Sequence, residues 1–422
     1  MTNDYPAAEN IDELVRKAAL GDDEPTRQKA QREIRDLASE RGITPASIQG
    51  LYEASGKGLY HGATVPAINV RGITYQVARA VFRAALKHQV GAFIFEIARS
   101  EIGYTRQPPS EYTACVLAAA IREKFQGPVF IQGDHFQANH RRYTAEPDKE
   151  LNDLKTLIRS AIAAGFFNID IDASTLVDLS APTLEKQQTQ NCLLTAELTK
   201  FIRSIEPQGT TVSVGGEIGE VGARNSTVAD LRAFMSGYLG LIGPGMKGIS
   251  KISVQTGTTH GGVVLPDGSI AKVKLDFQTL EKLSQLAREE YGLAGAVQHG
   301  ASTLPEEVFK LFPQSGTAEV HLATGFQNLI FDSPHFPEEL KDRIYAGLSA
   351  KYADQRKPED TEEQFIYRTR KRAFGDFKSE LWNLPEENLR PIDERLESSF
   401  AAIFQELNVV NTVDLVARFV TR

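Results

Sequence analysis

Pro128-Val-Phe-Ile-Gln-Gly-Asp134-His135 is a run of strand-forming residues that ends in a carboxylate and an imidazole side by side. Successive side chains on a strand face opposite ways, but where a strand frays at its C-terminal end both can turn toward one cavity. A parallel barrel keeps its chemistry at that end. An acid beside a histidine also suits a hydrogen-bonded turn, so the reading is decided by the strands around it.

Short apolar strands alternate with longer amphipathic stretches from residue 65 onward, the pattern of a parallel sheet with crossover helices. Strands are expected at 65–70, 92–98, 128–134, 166–172, 211–219, 249–257, 295–302 and 317–325, with helices between them at 74–87, 110–124, 149–164, 183–205 and 276–291. Eight strands in this order predict an α/β fold, a (β/α)8 TIM barrel over residues 61–332. Residues 1–60 are charged, with Ile11, Leu14, Val15 and Ala18 at helical spacing and a second run through Ile34, Leu37 and Ala38. They read as an N-terminal helical extension that covers a barrel end or a subunit contact. Residues 333–422 read as a C-terminal helical region, with helices at 337–352, 362–384 and 392–407 and an exposed linker at 355–363.

A chain of 422 residues with 41% hydrophobic and 24% charged content buries a sizeable core. Its net charge of -8 argues against wholesale nucleic-acid binding. No run is long enough to span a bilayer, and Met1-Thr-Asn-Asp-Tyr-Pro6 lacks the basic and apolar regions of a leader, so a soluble cytoplasmic protein without a membrane partner is expected. The two cysteines, Cys115 and Cys192, sit in helical stretches and suit packing better than a disulfide or a thiolate metal site.

Of eight histidines, three fall at the C-terminal ends of different expected strands: His135, His260 in Gln255-Thr-Gly-Thr-Thr-His-Gly-Gly262, and His299 in Val297-Gln-His-Gly-Ala-Ser302. Those ends converge on one mouth. Three imidazoles with an open position form a catalytic zinc arrangement, whose ion polarises a carbonyl or activates water. The fifth strand adds Glu217 and Glu220 in Gly215-Gly-Glu-Ile-Gly-Glu-Val-Gly222, candidates for a ligand, an orienting group or a proton carrier. Gly261, Gly262 and Gly300, with Ser302 and Thr324, supply the backbone N–H groups and hydroxyls that phosphate binding requires.

Seven motifs in order, Gly-Asp134-His135, Ile171-Asp-Ala-Ser174, Gly216-Glu-Ile-Gly219, Gly257-Thr-Thr-His-Gly261, Lys274-Leu-Asp-Phe277, His299-Gly-Ala-Ser302 and Val320-His-Leu-Ala-Thr324, resemble the class II, zinc-dependent ketose-bisphosphate aldolases. The resemblance implies that His135, His260 and His299 bind zinc or another divalent cation, with Glu217 as a further ligand. It implies Asp134 as the acid/base at the sugar hydroxyl of the cleaved bond. Gly261, Gly300, Ser302, Ala323 and Thr324 would hold a phosphate, and Asp172 with Ser174 would support the mouth. The activity implied is retro-aldol cleavage of a phosphorylated ketose, by default fructose 1,6-bisphosphate, to dihydroxyacetone phosphate and an aldehyde, as in glycolysis, by a homodimer or homotetramer. A divalent cation stabilises the enediolate that such cleavage leaves, so no Schiff-base lysine is needed.

This chain departs from that pattern. The loop that usually carries a further proton-moving glutamate is shortened to Val221-Gly-Ala-Arg224, with Glu220 as the substitute. His321 stands where the family commonly has Asn, the lysine that often follows His-Gly is missing, and Arg141-Arg142 offers a replacement anion site. These departures motivate an alternative, a non-catalytic sugar-phosphate-binding paralogue or partner subunit. A barrel metal hydrolase ranks last, because Val65-Pro-Ala-Ile-Asn-Val70 lacks a His-x-His pair.

Overall fold

A computed structural model of the chain describes residues 9–219, 224–257, 265 and 275–420. Those described residues form nine strands, all paired in parallel: β1 (Ile43–Ala46), β2 (Val65–Asn69), β3 (Ile94–Ala98), β4 (Gly127–Gln137), β5 (Asn168–Asp172), β6 (Ser213–Glu217), β7 (Lys251–Ser253), β8 (Ala296–Gln298) and β9 (Glu319–Leu322). Strands β2 to β9 pair in sequence and β9 returns to β2, through Val65↔Glu319 to Ile68↔Leu322. The result is the closed eight-stranded (β/α)8 barrel that the alternation of strands and helices predicts.

The helix Thr74–Lys87 shows why the crossovers form. Val77, Ala78, Ala80, Val81, Phe82, Ala84 and Ala85 are all buried, giving one face to the barrel and another to its neighbours. Cys115 and Cys192 are free and buried in the helices Pro109–Arg122 and Thr189–Ile205. Among the described residues no helix is long and apolar enough to cross a membrane.

The N-terminal extension is not helical throughout. Its helices Glu9–Leu20 and Glu24–Glu40 pack on Pro109–Arg122, but β1 pairs with the first residues of β4, from Ile43↔Gly127 to Ala46↔Phe130. Asn168 joins β1 to the barrel: its Oδ1 accepts from Ile48 N at 2.9 Å and its Nδ2 donates to Ala46 O and Ile131 O at 3.2 and 3.0 Å. Four residues that include a proline give too short a pattern for periodicity to reveal.

In the C-terminal region the stretch expected as one helix over 362–384 is broken. Glu362–Thr369 passes into a 3-10 turn, Arg370–Arg372, and two short helices, Ala373–Asp376 and Lys378–Trp382. The break lets this segment press against the barrel: a Cβ on Gly375 would overlap the Tyr104 carbonyl oxygen, and one on Gly72 would overlap the Phe374 ring. The last long helix starts earlier than expected, at Glu386, because Pro391 is accommodated near its beginning.

Inside the barrel the side chains form layers. At the bottom, Val65, Ala67, Ile94 and Phe130 pack with Ile48, Leu51 and Tyr52 of the extension in an apolar plug. Above it lies a charged layer where branched apolar residues are usual. Lys251 donates to Asp170 at 2.9 Å, to Gln132 at 2.8 Å and to Glu319. Gln132 donates to Glu96 at 3.0 Å and Glu319 at 2.8 Å, and the Tyr52 hydroxyl also reaches Glu319. Burial pushes Asp170 up to about 6 even beside Lys251. Glu319, despite burial, is held well below the usual carboxylate range by Lys251 and His321.

Removing Lys251 strands two buried carboxylates without their cation. Lys251→Met is therefore expected to cost about 3–5 kcal/mol of stability, read as a fall in denaturant midpoint at unchanged slope. A midpoint equal to that of the parent protein would show that the charged layer is not anchored by this lysine.

Candidate active site

The strand ends above the charged layer carry most of the chemistry. At the end of β4 the backbone turns through His135, whose φ of +41° lies in the left-handed region. β4 is also irregular between Gly133 and Phe136 in its pairing with β5, and a Cβ on Gly133 would overlap the Phe136 ring. The turn brings Asp134 and His135 to the same mouth instead of opposite faces of the strand. His135 Nε2 lies 3.6 Å from Asp134 Oδ1, and His299 Nε2 lies 3.7 Å from the same oxygen. His321 Nδ1 approaches it at 3.3 Å. Three imidazoles thus face one carboxylate, with ring centroids 4.3 Å apart for His135 and His299 and 4.2 Å for His299 and His321.

Asp172, at the end of β5, orients His135. Its Oδ2 lies 2.9 Å from His135 Nδ1 and accepts from Gln137 at 2.5 Å, while its Oδ1 accepts from Ser174 N at 3.0 Å and Ser174 Oγ at 2.6 Å. With Nδ1 turned to this carboxylate, Nε2 faces the mouth. Glu217 Oε2 also lies 3.3 Å from Nδ1. Burial and then the Asp172 charge push the Glu217 carboxyl up to about 7, against the opposing pull of His135. For Asp172, burial acts upward, but hydrogen bonds from His135, Ser174 and Gln137 hold its pKa below the usual value. Burial acts to lower the His135 pKa, and the charges of Asp134 and Glu217 with the Asp172 hydrogen bond raise it well above the usual imidazole value.

Two donor sets share His135. Ligand atoms of Asp134, His135 and His299 lie within 4.8 Å of one another, as do those of His135, Asp172 and Glu217. Imidazoles with carboxylates suit a divalent ion of borderline softness, so the residues present fit the metal that the motifs imply.

A cavity of about 670 Å³ opens over this group, and Asp134, His135, His299, Gly300, Ser302, Ala323 and Thr324 all line it. Gly300 adopts φ +70°, which turns the chain into the short helix Ala301–Thr303. Ser302 Oγ accepts from Gly325 N at 3.1 Å, tying that turn to the start of the helix Thr324–Phe331. Of the expected phosphate residues, Gly300, Ser302, Ala323 and Thr324 therefore meet in one wall of the cavity. Of the paired arginines, Arg142 lines the mouth and both are exposed on the helix His140–Ala145. Glu220, His260 and Gly261 lie outside the described residues.

The cavity also exposes residues that the strand-end reading did not select. Glu96 on β3 lies 3.0 Å from His321 Nδ1, and burial with the Asp134 charge pushes its carboxyl up to about 7. Its signal was present, an acid in the middle of the apolar run Phe93-Ile-Phe-Glu-Ile97. Arg71, Arg99, Glu101 and Lys371 also line the mouth.

A parallel barrel with imidazoles and carboxylates gathered at its C-terminal mouth is the site architecture of a metal-assisted enzyme. Within that class the chain belongs to the class-II fructose-bisphosphate aldolase family, which its sequence matches over residues 56–380. Solved structures of the same fold include a fructuronate-tagaturonate epimerase from Cohnella laeviribosi, at TM-score 0.59 and 11% identity over 91% of this chain and 86% of that one. A probable tagatose 6 phosphate kinase from Sinorhizobium meliloti 1021 follows at 0.55 and 15%, over 84% and 93%. The fructose-bisphosphate aldolase of Campylobacter jejuni is similar at 0.51 and 17%, over 88% and 97%. At these identities the likeness is one of fold. No curated protein sequence matches the chain significantly.

Asp172→Ala should release the His135 ring and weaken zinc binding about 10- to 100-fold, measured by competition with a chromogenic chelator. Equal zinc affinity in the variant would remove Asp172 as the anchor of His135.

Proposed function

We propose that this protein is a divalent-metal-dependent aldolase that cleaves a phosphorylated ketose, fructose 1,6-bisphosphate by default, to dihydroxyacetone phosphate and an aldehyde. The observation that carries the reading is Asp134, a buried carboxylate facing three imidazoles at 3.3–3.7 Å in the mouth of this family's barrel. His135 and His299, with His260 from the sequence and Glu217 as a further donor, are the residues that would hold the ion. When bound, a zinc ion supplies polarisation of the substrate ketone.

The chain's own groups handle the protons. Asp134, its Oδ2 3.4 Å from the Asn69 amide that donates to it, takes the proton of the hydroxyl at the bond to be cleaved. That oxygen becomes the aldehyde as the carbon–carbon bond pair passes into the ketone half. The ketone half then takes up a proton, a role we assign to Glu220. The wall formed by Gly300, Ser302, Ala323 and Thr324 holds a phosphate and fixes the ketose relative to Asp134.

Zinc-loaded protein should release dihydroxyacetone phosphate from fructose 1,6-bisphosphate or tagatose 1,6-bisphosphate in a coupled assay, and a chelator should stop it. Zinc-bound protein silent on both sugars would point instead to the non-catalytic sugar-phosphate binder. Asp134→Ala should keep its zinc and lose about 10²–10⁴-fold in kcat; if the variant loses the metal, Asp134 is a ligand and not the acid/base.

Zinc needs neutral imidazole, whereas the carboxylates around His135 favour its protonated form. Protons therefore compete with metal already above the ordinary imidazole pKa of about 6.5, and zinc affinity and activity should fall as pH drops through neutrality. A profile flat down to about pH 5 would contradict imidazole ligation.

A further inference from the structure

The basic triplet Arg370-Lys371-Arg372 lies in the 3-10 turn that the C-terminal region presses against the barrel mouth. Its outer members have structural work. Arg370, buried, donates to Asp332 at 2.5 and 2.9 Å and to Asn328 at 2.7 Å. Arg372 stacks over the Tyr352 ring at 4.4 Å and donates to Gln355 at 3.0 Å.

Lys371 between them lines the cavity that holds Asp134, His135 and His299. Its Nζ sits 5.6 Å from the centroid of the Tyr104 ring, and among the described residues no carboxylate or other acceptor pairs with it. Burial and then the nearby Arg71 charge push its pKa down, and the Glu101 carboxylate, already shared among other donors, offsets this only in part.

Arg71 enters the same cavity from the end of β2. Its Nε donates to Glu101 at 2.7 Å, while one Nη donates to Gln327 at 3.1 Å and to Thr324 Oγ1 at 3.3 Å. Glu101 is also engaged by Asn69 at 2.7 Å and by the Ala98 N–H at 2.8 Å. The Tyr104 hydroxyl reaches it as well, at 3.5 Å, so one carboxylate serves Arg71 and three other donors, while Lys371 adds a second positive charge beside it. The close approaches at Gly72 and Gly375 fix the turn in place, so the charge is built into the wall and not carried on a free tail.

We propose that Lys371, with Arg71 and the Thr324 hydroxyl, forms an anion site in which the C-terminal region grips a terminal acidic group of the substrate, a phosphoryl group or a sugar carboxylate. This rests on the reading of the mouth as a substrate site. It assigns the C-terminal region a part in substrate choice, through a cation that none of the barrel motifs supplies. An incoming anion meets a partly desolvated ammonium, where a charge-assisted hydrogen bond is stronger than at the surface.

The test titrates the full-length protein with inorganic phosphate and, separately, with D-gluconate, for the parent chain, Lys371→Met and Lys371→Arg. The preferred anion should bind Lys371→Met about tenfold or more weakly, with affinity largely restored in Lys371→Arg. Lys371→Met should melt no lower than the parent, because among the described residues the ammonium makes no hydrogen bond or ion pair that the variant would lose. Preference for phosphate assigns a phosphoryl group, and preference for gluconate a carboxylate.

Equal affinity in all three proteins, no binding of either anion by the parent, or a lowered melting point in Lys371→Met with both affinities unchanged would overturn the proposal. Cleavage of a ketose phosphate with Lys371-independent anion binding would refute this site and leave the aldolase reading standing. Lys371-dependent binding without cleavage of any ketose phosphate would do the reverse.

Discussion

The ammonium of Lys251, buried at mid-height in the barrel, is the constraint on which the rest of the site depends. A lone cation there would carry a large desolvation penalty, and so would Glu319 or Asp170. Together, with Gln132 and Tyr52 bridging, they form a network whose members fix one another. His321 rises from this network to the mouth, its Nε2 2.7 Å from Glu319 and its Nδ1 beside Glu96 and Asp134. A group lining the cavity is thus tied to a charge near the barrel centre. An apolar layer would pack well but would leave His321 without the carboxylates that orient it.

That tie gives the His321 departure from the family pattern a physical setting. An asparagine would offer one amide to Asp134, whereas the imidazole bridges carboxylates on both sides. Burial acts to lower its pKa, and Glu96, Asp134 and Glu319 raise it well above the usual value. The carboxylates around His321 therefore favour its protonated form, beside Asp134 and above the acids of the layer below.

Much of the barrel was legible because a parallel strand buried on both faces is a short apolar run, and its C-terminal end is where polar residues break that run. Asp134, His135, His299, Ser302 and Thr324 announce themselves in this way, and the structure brings them to one cavity. Glu96, Asp170, Lys251 and Glu319 were visible as charges inside apolar strands, but a run buried on both faces does not say which side is the barrel interior. β1 was hidden by its length and by Pro45. Lys371 was hidden for another reason: a basic triplet in a charged region looks like solvated surface, and only the close packing at Gly72 and Gly375 turns its middle member inward. Glu220, His260 and Gly261, legible as motif residues, lie outside the described residues.

Segments far apart in the sequence, 50–91 and 407–419, meet beneath and beside the same strands. Thr64 N donates to Leu407 O at 3.0 Å just before β2 begins, Asn408 donates to Gly62 O at 3.0 Å, and Gly91 N donates to Thr412 Oγ1 at 3.0 Å just before β3. Gly50, in the helix beneath the barrel, lies so close to Phe419 that a Cβ would overlap its carbonyl oxygen. These contacts span more than three hundred residues and give the topology a high contact order. On a ribosome the first barrel strands emerge well before the segment that braces them, so the nascent barrel stays incompletely braced until residues 407–419 have been made. An early stop codon in the last helices would therefore do more than trim a surface: it would remove the brace from the strands made first.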